Sequence, residues 1–181
     1  MPFFSALTQD SGVRDVLGMN PAAGRALIAY HEAILRGPSP LSAAERELIA
    51  AYVSGLNACH YCHGVHTVTA EALGVPAGLL KSLLDDPATA PVDEKLKPIL
   101  AYAKTLTLTP ARLTRADADL VYAAGWDERA LHDAISVCCL FNLMNRLIEG
   151  HGIEGHAELY RRRGEALKTD GYAPLIKLLG G

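Results

Sequence analysis

Apolar residues recur along this chain at the three- and four-residue spacings of helix faces, and no stretch keeps the period of two that a half-buried strand requires. Glycine and proline clusters cut the pattern into pieces: Gly37-Pro38-Ser39-Pro40, Gly74-Val75-Pro76, Pro87 to Pro91, and Gly150-His151-Gly152. Between them the spacing predicts helices over about 20–36, 42–57, 59–74, 76–85, 93–107, 114–124, 127–149 and 154–168. Ser42 and Glu45 stand three apart, as in a capping box, and Thr114 with Asp117 repeats the motif. Gly74, Gly125 and Gly150 suit the left-handed position that closes a helix. No proline occurs from Ala111 to Ala173, which favours long helices in the second half.

The expected class is all-α, a helical bundle with a C-x-x-C at the start of one helix, as a single domain over residues 1–181. Helix 127–149 carries a broad apolar surface through Leu131, Ile135, Val137, Leu140, Phe141, Leu143, Met144, Leu147 and Ile148. So wide a stripe implies burial on more than one side, as a central helix or as part of a subunit interface.

Composition narrows the function. Half of the 181 residues are hydrophobic and 20% are charged, so the chain can close a core and is not disordered. With 17 Lys and Arg against 20 Asp and Glu, no basic excess is present to neutralise phosphates, and nucleic-acid binding is not expected. The run Arg161-Arg162-Arg163 is flanked by Glu158 and Glu165 and reads as a solvated helix face. Residues 48–70 contain no Asp, Glu, Lys or Arg, yet Asn57, His60, His63 and His66 make them too polar for lipid. They read as protein interior around a polar site. Met1 to Gly12 has neither a basic start nor a long apolar run, so a cytoplasmic location and no membrane partner are expected.

The four cysteines do not read as a disulfide framework. Cys138 and Cys139 are adjacent in an apolar run and read as packing, with a vicinal disulfide or second redox pair as the alternative. Cys59 and Cys62 differ. Three residues apart on a helix, they share a face, and His66 follows Cys62 by one further turn, where its ring can take a thiol proton. Gly55 and Asn57 interrupt the preceding helix, so Cys59 opens a new one, whose free amides favour thiolate over thiol. On the preceding helix Glu47 borders the stripe Leu48, Ile49, Tyr52, Val53 and Leu56, in line with the small Ala51, Ser54 and Gly55. In a hairpin of the two helices Glu47 could reach His66 and complete a nucleophile–base–orienter relay. The alternative is a metal site from Cys59, Cys62, His66 and His63, although structural zinc usually draws its ligands from two separated pairs. His60 and His63 read as helix-face residues, Tyr61 as packing, and His151 and His156 as exposed.

Glu47, Cys59, Cys62 and His66 have the spacing E-x11-C-x2-C-x3-H. This resembles the alkylhydroperoxidase AhpD-like branch of the carboxymuconolactone decarboxylase superfamily. Asn57-Ala58-Cys59-His60-Tyr61-Cys62, Ala124-Gly125-Trp126-Asp127 and Phe141-Asn142-Leu143-Met144-Asn145-Arg146 resemble its peroxidase-related members. The resemblance covers about residues 20–155 and implies an all-helical homo-oligomer, a trimer or hexamer. It also implies cofactor-free, metal-free reduction of an organic hydroperoxide, an antioxidant activity recycled by a dithiol on a lipoyl or thioredoxin-like protein. By matching positions, Cys62 would be the peroxidatic thiolate, Cys59 the resolving thiol, His66 the base and Glu47 the relay carboxylate. Where the family's peroxidases carry a histidine before the second cysteine, this chain has Tyr61. Three other readings stay open: a disulfide reductase or redox sensor that meets no peroxide, a zinc-binding module, and a decarboxylase-like enzyme for a small organic acid.

Overall fold

The computed structural model describes residues 1–180, and every regular element among them is helical. In chain order these are α1 (Val13–Gly18), α2 (Pro21–Arg36), α3 (Ala43–Leu56), α4 (His60–Ala72), α5 (Leu79–Asp85) and α6 (Lys97–Leu108). A 3-10 turn at Pro110–Arg112 follows, then α7 (Arg115–Ala123), α8 (Glu128–Gly150), α9 (Ala157–Asp170) and α10 (Ala173–Leu178). The predicted helices are present with ends shifted by a few residues, and two short ones, α1 and α10, lie outside the predicted set.

Local chemistry accounts for the starts. Ser42 Oγ accepts from Glu45 N at 3.2 Å while Glu45 Oε2 accepts from Ser42 N at 2.7 Å, closing the capping box of α3. Asp127 Oδ1 accepts from Ala130 N at 2.8 Å at the start of α8. Two stops follow expectation, with Gly74 at φ 108° and Gly125 at φ 88°. The third does not. Gly150 stays inside α8, and Gly152, at φ 65°, takes the left-handed turn.

The helix at the centre is α3. Every residue from Arg46 to Ser54 is buried, so α3 is covered on all sides rather than along one stripe. It packs on α4, α5, α6 and α8. The long α8 buries twelve side chains, among them Phe141, Met144 and Ile148, but keeps an exposed edge at His132, Cys139, Leu143, Arg146 and Glu149. Burying each such large apolar side chain stabilises the fold by roughly 1.5–3 kcal/mol.

Close backbone approach sets the position of α4 between α3 and α9. A Cβ on Gly55 would lie 3.1 Å from His63 Nδ1, one on Gly64 2.5 Å from Tyr160, and one on Gly164 2.6 Å from Val68. Hydrogen replaces a methyl at each crossing, and the helices meet there. Among the described residues no helix is long and apolar enough to cross a membrane.

Candidate active site

The chain reverses between α3 and α4 in three residues. Asn57 closes α3, Ala58 adopts a left-handed conformation at φ 54°, and Cys59 becomes the N-cap of α4. Ala58 is the one non-glycine with positive φ among the described residues, and such a conformation costs an L-residue about 1–2 kcal/mol. Cys59 N donates to Ser54 O at 3.0 Å, and the His63 ring meets Ala51 O through Nδ1 at 2.9 Å, so both ends of the turn are tied to α3.

That hairpin brings Glu47 to His66. Glu47 Oε2 lies 2.7 Å from His66 Nδ1, and the carboxylate is completely buried instead of bordering a stripe. Its other oxygen, Oε1, accepts from the Tyr172 hydroxyl at 2.7 Å and pairs with Arg36 Nη1 at 2.7 Å. Burial by itself would raise the Glu47 pKa. His66, Arg36 and Tyr172 together outweigh it and hold the carboxyl below the usual carboxylate range. An ionised carboxylate only accepts, so His66 Nδ1 carries a hydrogen and donates it to Glu47. Phe141 meets the His66 ring edge-on at 4.5 Å between centroids, which fixes its plane.

The sulfurs are unequal. Cys59 is wholly buried behind the turn, whereas Cys62, in the first turn of α4, lines a cavity of about 170 Å³ together with His66. The hydrogen bond with Cys59, then burial, push the Cys62 thiol well above its ordinary pKa, and Asn145 opposes this only in part. This corrects the expectation of a thiolate created by the helix N-terminus: desolvation and the neighbouring sulfur outweigh the amides. No hydrogen bond joins His66 directly to Cys62 among the described residues; the two lie one turn apart on α4 and line the same cavity. Asn145 belongs to a buried amide cluster that braces this end of α4, donating to Ser54 Oγ at 2.9 Å and accepting from Asn57 at 2.9 Å.

Val13, Ile28, Val65, Phe141, Met144 and Leu175 give the cavity its apolar walls. Its far side is the C-terminal strap. Glu32 Oε2 accepts from Tyr172 N at 2.7 Å and Ala173 N at 3.1 Å, and Arg36 Nη2 donates to Leu167 O at 3.0 Å. His31 also lines the cavity, and burial lowers its pKa to about 4, so it is neutral at pH 7.

Of the four predicted site residues, Glu47 and His66 are in direct contact, Cys62 shares a cavity with His66, and Cys59 hydrogen-bonds to Cys62 behind it; Arg36 and Tyr172 join Glu47, and His31 lines the cavity. Sequence reasoning missed these three: Tyr172 is distant in the chain, His31 and Arg36 lie on the helix before α3, and none stands in a motif. Three further expectations are corrected. Arg163 turns into the cavity instead of joining a solvated face. Cys139 is exposed, while Cys138 alone is buried. His151 is half-buried, its ring stacked on Phe4 at 4.7 Å. His156 is exposed as expected, His60 lies on an exposed face of α4, and Tyr61 is buried, with its hydroxyl accepting from Val13 N at 3.2 Å. Among the described residues no group of three or more His, Cys, Asp or Glu side chains is placed to hold a metal ion.

Comparison with known proteins adds to this geometry. Residues 21–105 match the Carboxymuconolactone decarboxylase family, a span that includes Arg36, Glu47, Cys59, Cys62 and His66 but stops short of Tyr172. Among solved structures, the chain is similar to an uncharacterized peroxidase-related protein from Silicibacter sp. TM1040, with 28% identity and a TM-score of 0.76 over 82% of this chain and 78% of that one. It is also similar in fold to the alkylhydroperoxidase AhpD core, an uncharacterized peroxidase-related protein from Ralstonia eutropha JMP134. There the identity is 22% and the TM-score 0.75, over 82% of this chain and 77% of that one. No curated protein matches the chain.

Proposed function

Because the chain belongs to the AhpD-like group of the carboxymuconolactone decarboxylase superfamily, we propose that it is a thiol-dependent peroxidase that reduces an organic hydroperoxide through Cys62 and Cys59. The observation that carries this reading is the position of Cys62 and His66 on one apolar cavity, with His66 Nδ1 held at 2.7 Å by a buried, ionised Glu47.

In this mechanism the Cys62 proton passes to His66 Nε2, and Glu47 stabilises the imidazolium that forms. The thiolate attacks the terminal oxygen of the hydroperoxide. The O–O bond breaks, the sulfur is oxidised to a sulfenic acid, and the alkoxide leaves with the proton carried by His66 as an alcohol. Cys59, at the N-cap one turn earlier, attacks the sulfenic sulfur; a disulfide forms and water leaves. An external dithiol, of the lipoyl or thioredoxin-like class, returns both sulfurs to thiols. A resting thiol at Cys62 makes proton transfer part of the reaction, so the relay is required for turnover.

The hydrogen bond between the Cys59 and Cys62 sulfurs also suits a second reading, dithiol–disulfide exchange without a peroxide substrate. Consumption of cumene hydroperoxide in the presence of excess dithiothreitol separates the two. The peroxidase reading expects turnover well above the protein-free rate, lost in both Cys62→Ser and Cys59→Ser. A titratable dithiol with no peroxide consumption would leave only exchange.

A further inference from the structure

Arginines that are not fully exposed have partners in this protein, with one exception. Arg25 donates to Leu179 O, Arg36 pairs with Glu47, and Arg46 donates to Ile34 O and Gly37 O. Arg163 is half-buried on α9, makes no ion pair among the described residues, and has a buried Nε without an acceptor. A buried donor left unpaired is costly, and such orphans concentrate where a ligand supplies the missing partner. Arg163 lines the same cavity as Cys62 and His66. So does Tyr61, whose hydroxyl accepts from Val13 N but whose own hydrogen finds no acceptor among the described residues. The other charged group on the wall, Asp170, is exposed and makes no ion pair with Arg163. His31 carries no charge at neutral pH. The cavity is thus an apolar chamber with donors in need of an anionic acceptor.

We propose that this chamber binds a small apolar molecule carrying a carboxylate, with Arg163 as the residue that recognises the anion. One guanidinium matches one carboxylate in charge and in its two-pronged geometry, whereas a phosphate would leave charge uncompensated among apolar walls. The volume, about 170 Å³, suits a ligand about the size of a benzene ring with short substituents, since an apolar cavity of about 150 Å³ accepts benzene. On the peroxidase reading, on which the substrate class rests, the ligand is a carboxylate-bearing organic hydroperoxide.

Two measurements test this. In calorimetry on the full chain, 4-isopropylbenzoate is expected to bind about tenfold more tightly than its neutral isostere 4-isopropylbenzamide. Arg163→Gln should abolish that preference and Arg163→Lys should retain part of it, while binding of the amide, the internal control for folding, stays unchanged. In turnover, Arg163→Gln should lower kcat/KM about tenfold more for the carboxylate analogue of cumene hydroperoxide than for cumene hydroperoxide itself. Equal binding of acid and amide by the wild type, or an undiminished preference in Arg163→Gln, overturns the site. The calorimetric result stands without catalysis, so a wild type that binds the acid and consumes no peroxide refutes the peroxidase reading alone.

Discussion

The protein carries two pairs of cysteines, and their surroundings differ more than their chemistry. In both the thiolate is disfavoured: the hydrogen bond with Cys59 and then burial push Cys62 well above its ordinary pKa, and burial pushes Cys138 to about 11. Cys62 faces a cavity, has Cys59 on its own helix face and shares the cavity with His66, itself paired with Glu47. Cys138 faces a polar cluster on α6 and α8 instead, with Thr107 Oγ1 at 3.3 Å and Asn142 Nδ2 at 3.5 Å, and no base. Its sequence neighbour Cys139 points to solvent. Adjacent residues on a helix leave on different sides, while residues three apart leave on the same side. Spacing therefore decides which sulfurs can meet, and the neighbouring element decides whether a buried thiol can lose its proton.

The contrast is sharpest in turnover. Cys62→Ser should abolish hydroperoxide consumption, at least a thousandfold down in kcat/KM as an order-of-magnitude expectation, while Cys138→Ser stays within about twofold. Equal losses would mean the second pair takes part. Removing the carboxylate comes next. Glu47→Gln keeps the shape but removes the charge that stabilises the imidazolium, and kcat/KM should fall about a hundredfold. A fall of less than threefold would leave His66 acting without its partner. Glu47 also ties stability to pH. Its folded-state pKa is lowered, so its contribution is present above the ordinary carboxylate range and is lost as pH falls through the lowered value.

Stability at high pH separates the second pair in the same way. The Cys138 pKa is raised from about 9 to about 11, so the unfolded chain loses this proton first. The contribution of the neutral thiol is present below about pH 9 and is lost as pH rises toward 11. Urea unfolding at both pH values should show the wild type losing about 2 kcal/mol more than Cys138→Ala. An equal loss would mean that Cys138 does not titrate with unfolding. The smallest effect concerns the turn before Cys59. Ala58→Gly removes the left-handed strain but adds freedom to the unfolded chain, for a net gain of about 0.5 kcal/mol. Destabilisation by more than about 1 kcal/mol would show that the Ala58 methyl packs where the backbone argument places only strain.

Much of the frame was legible in the sequence. The capping box at Ser42 and Glu45, the break at Asn57 and the start of α4 at Cys59 are local events, governed by hydrogen bonds within a few residues. The short helices α1 and α10 were not legible, because six residues show too little periodicity to stand out from a loop. The same shortness hid Tyr172, which reaches Glu47 from 125 residues away on the strap leading into α10. Arg36 ends α2 beside a glycine, as an ordinary helix-terminal cation would, and only the packing of α2 near α3 aims it at Glu47. The arginine run hid Arg163 for a related reason: three consecutive residues on a helix cover most of its circumference, so one of them faces inward wherever another element covers that side.

Sequence alone determined that this chain is helical, that two sulfurs share the face of one helix, and that a histidine follows one turn later. The reason is that the pitch of a helix relates residues three and four apart wherever it sits. Tertiary structure alone decided the protonation states and the chamber. Those depend on how much water is excluded and which charges stand nearby, and here Arg36, Tyr172, Phe141 and Arg163 come from four elements outside the α3–α4 hairpin. The neighbouring Cys59 sulfur and burial push the Cys62 thiol up where its helix position alone argued for a thiolate, because both act through packing that the sequence does not display.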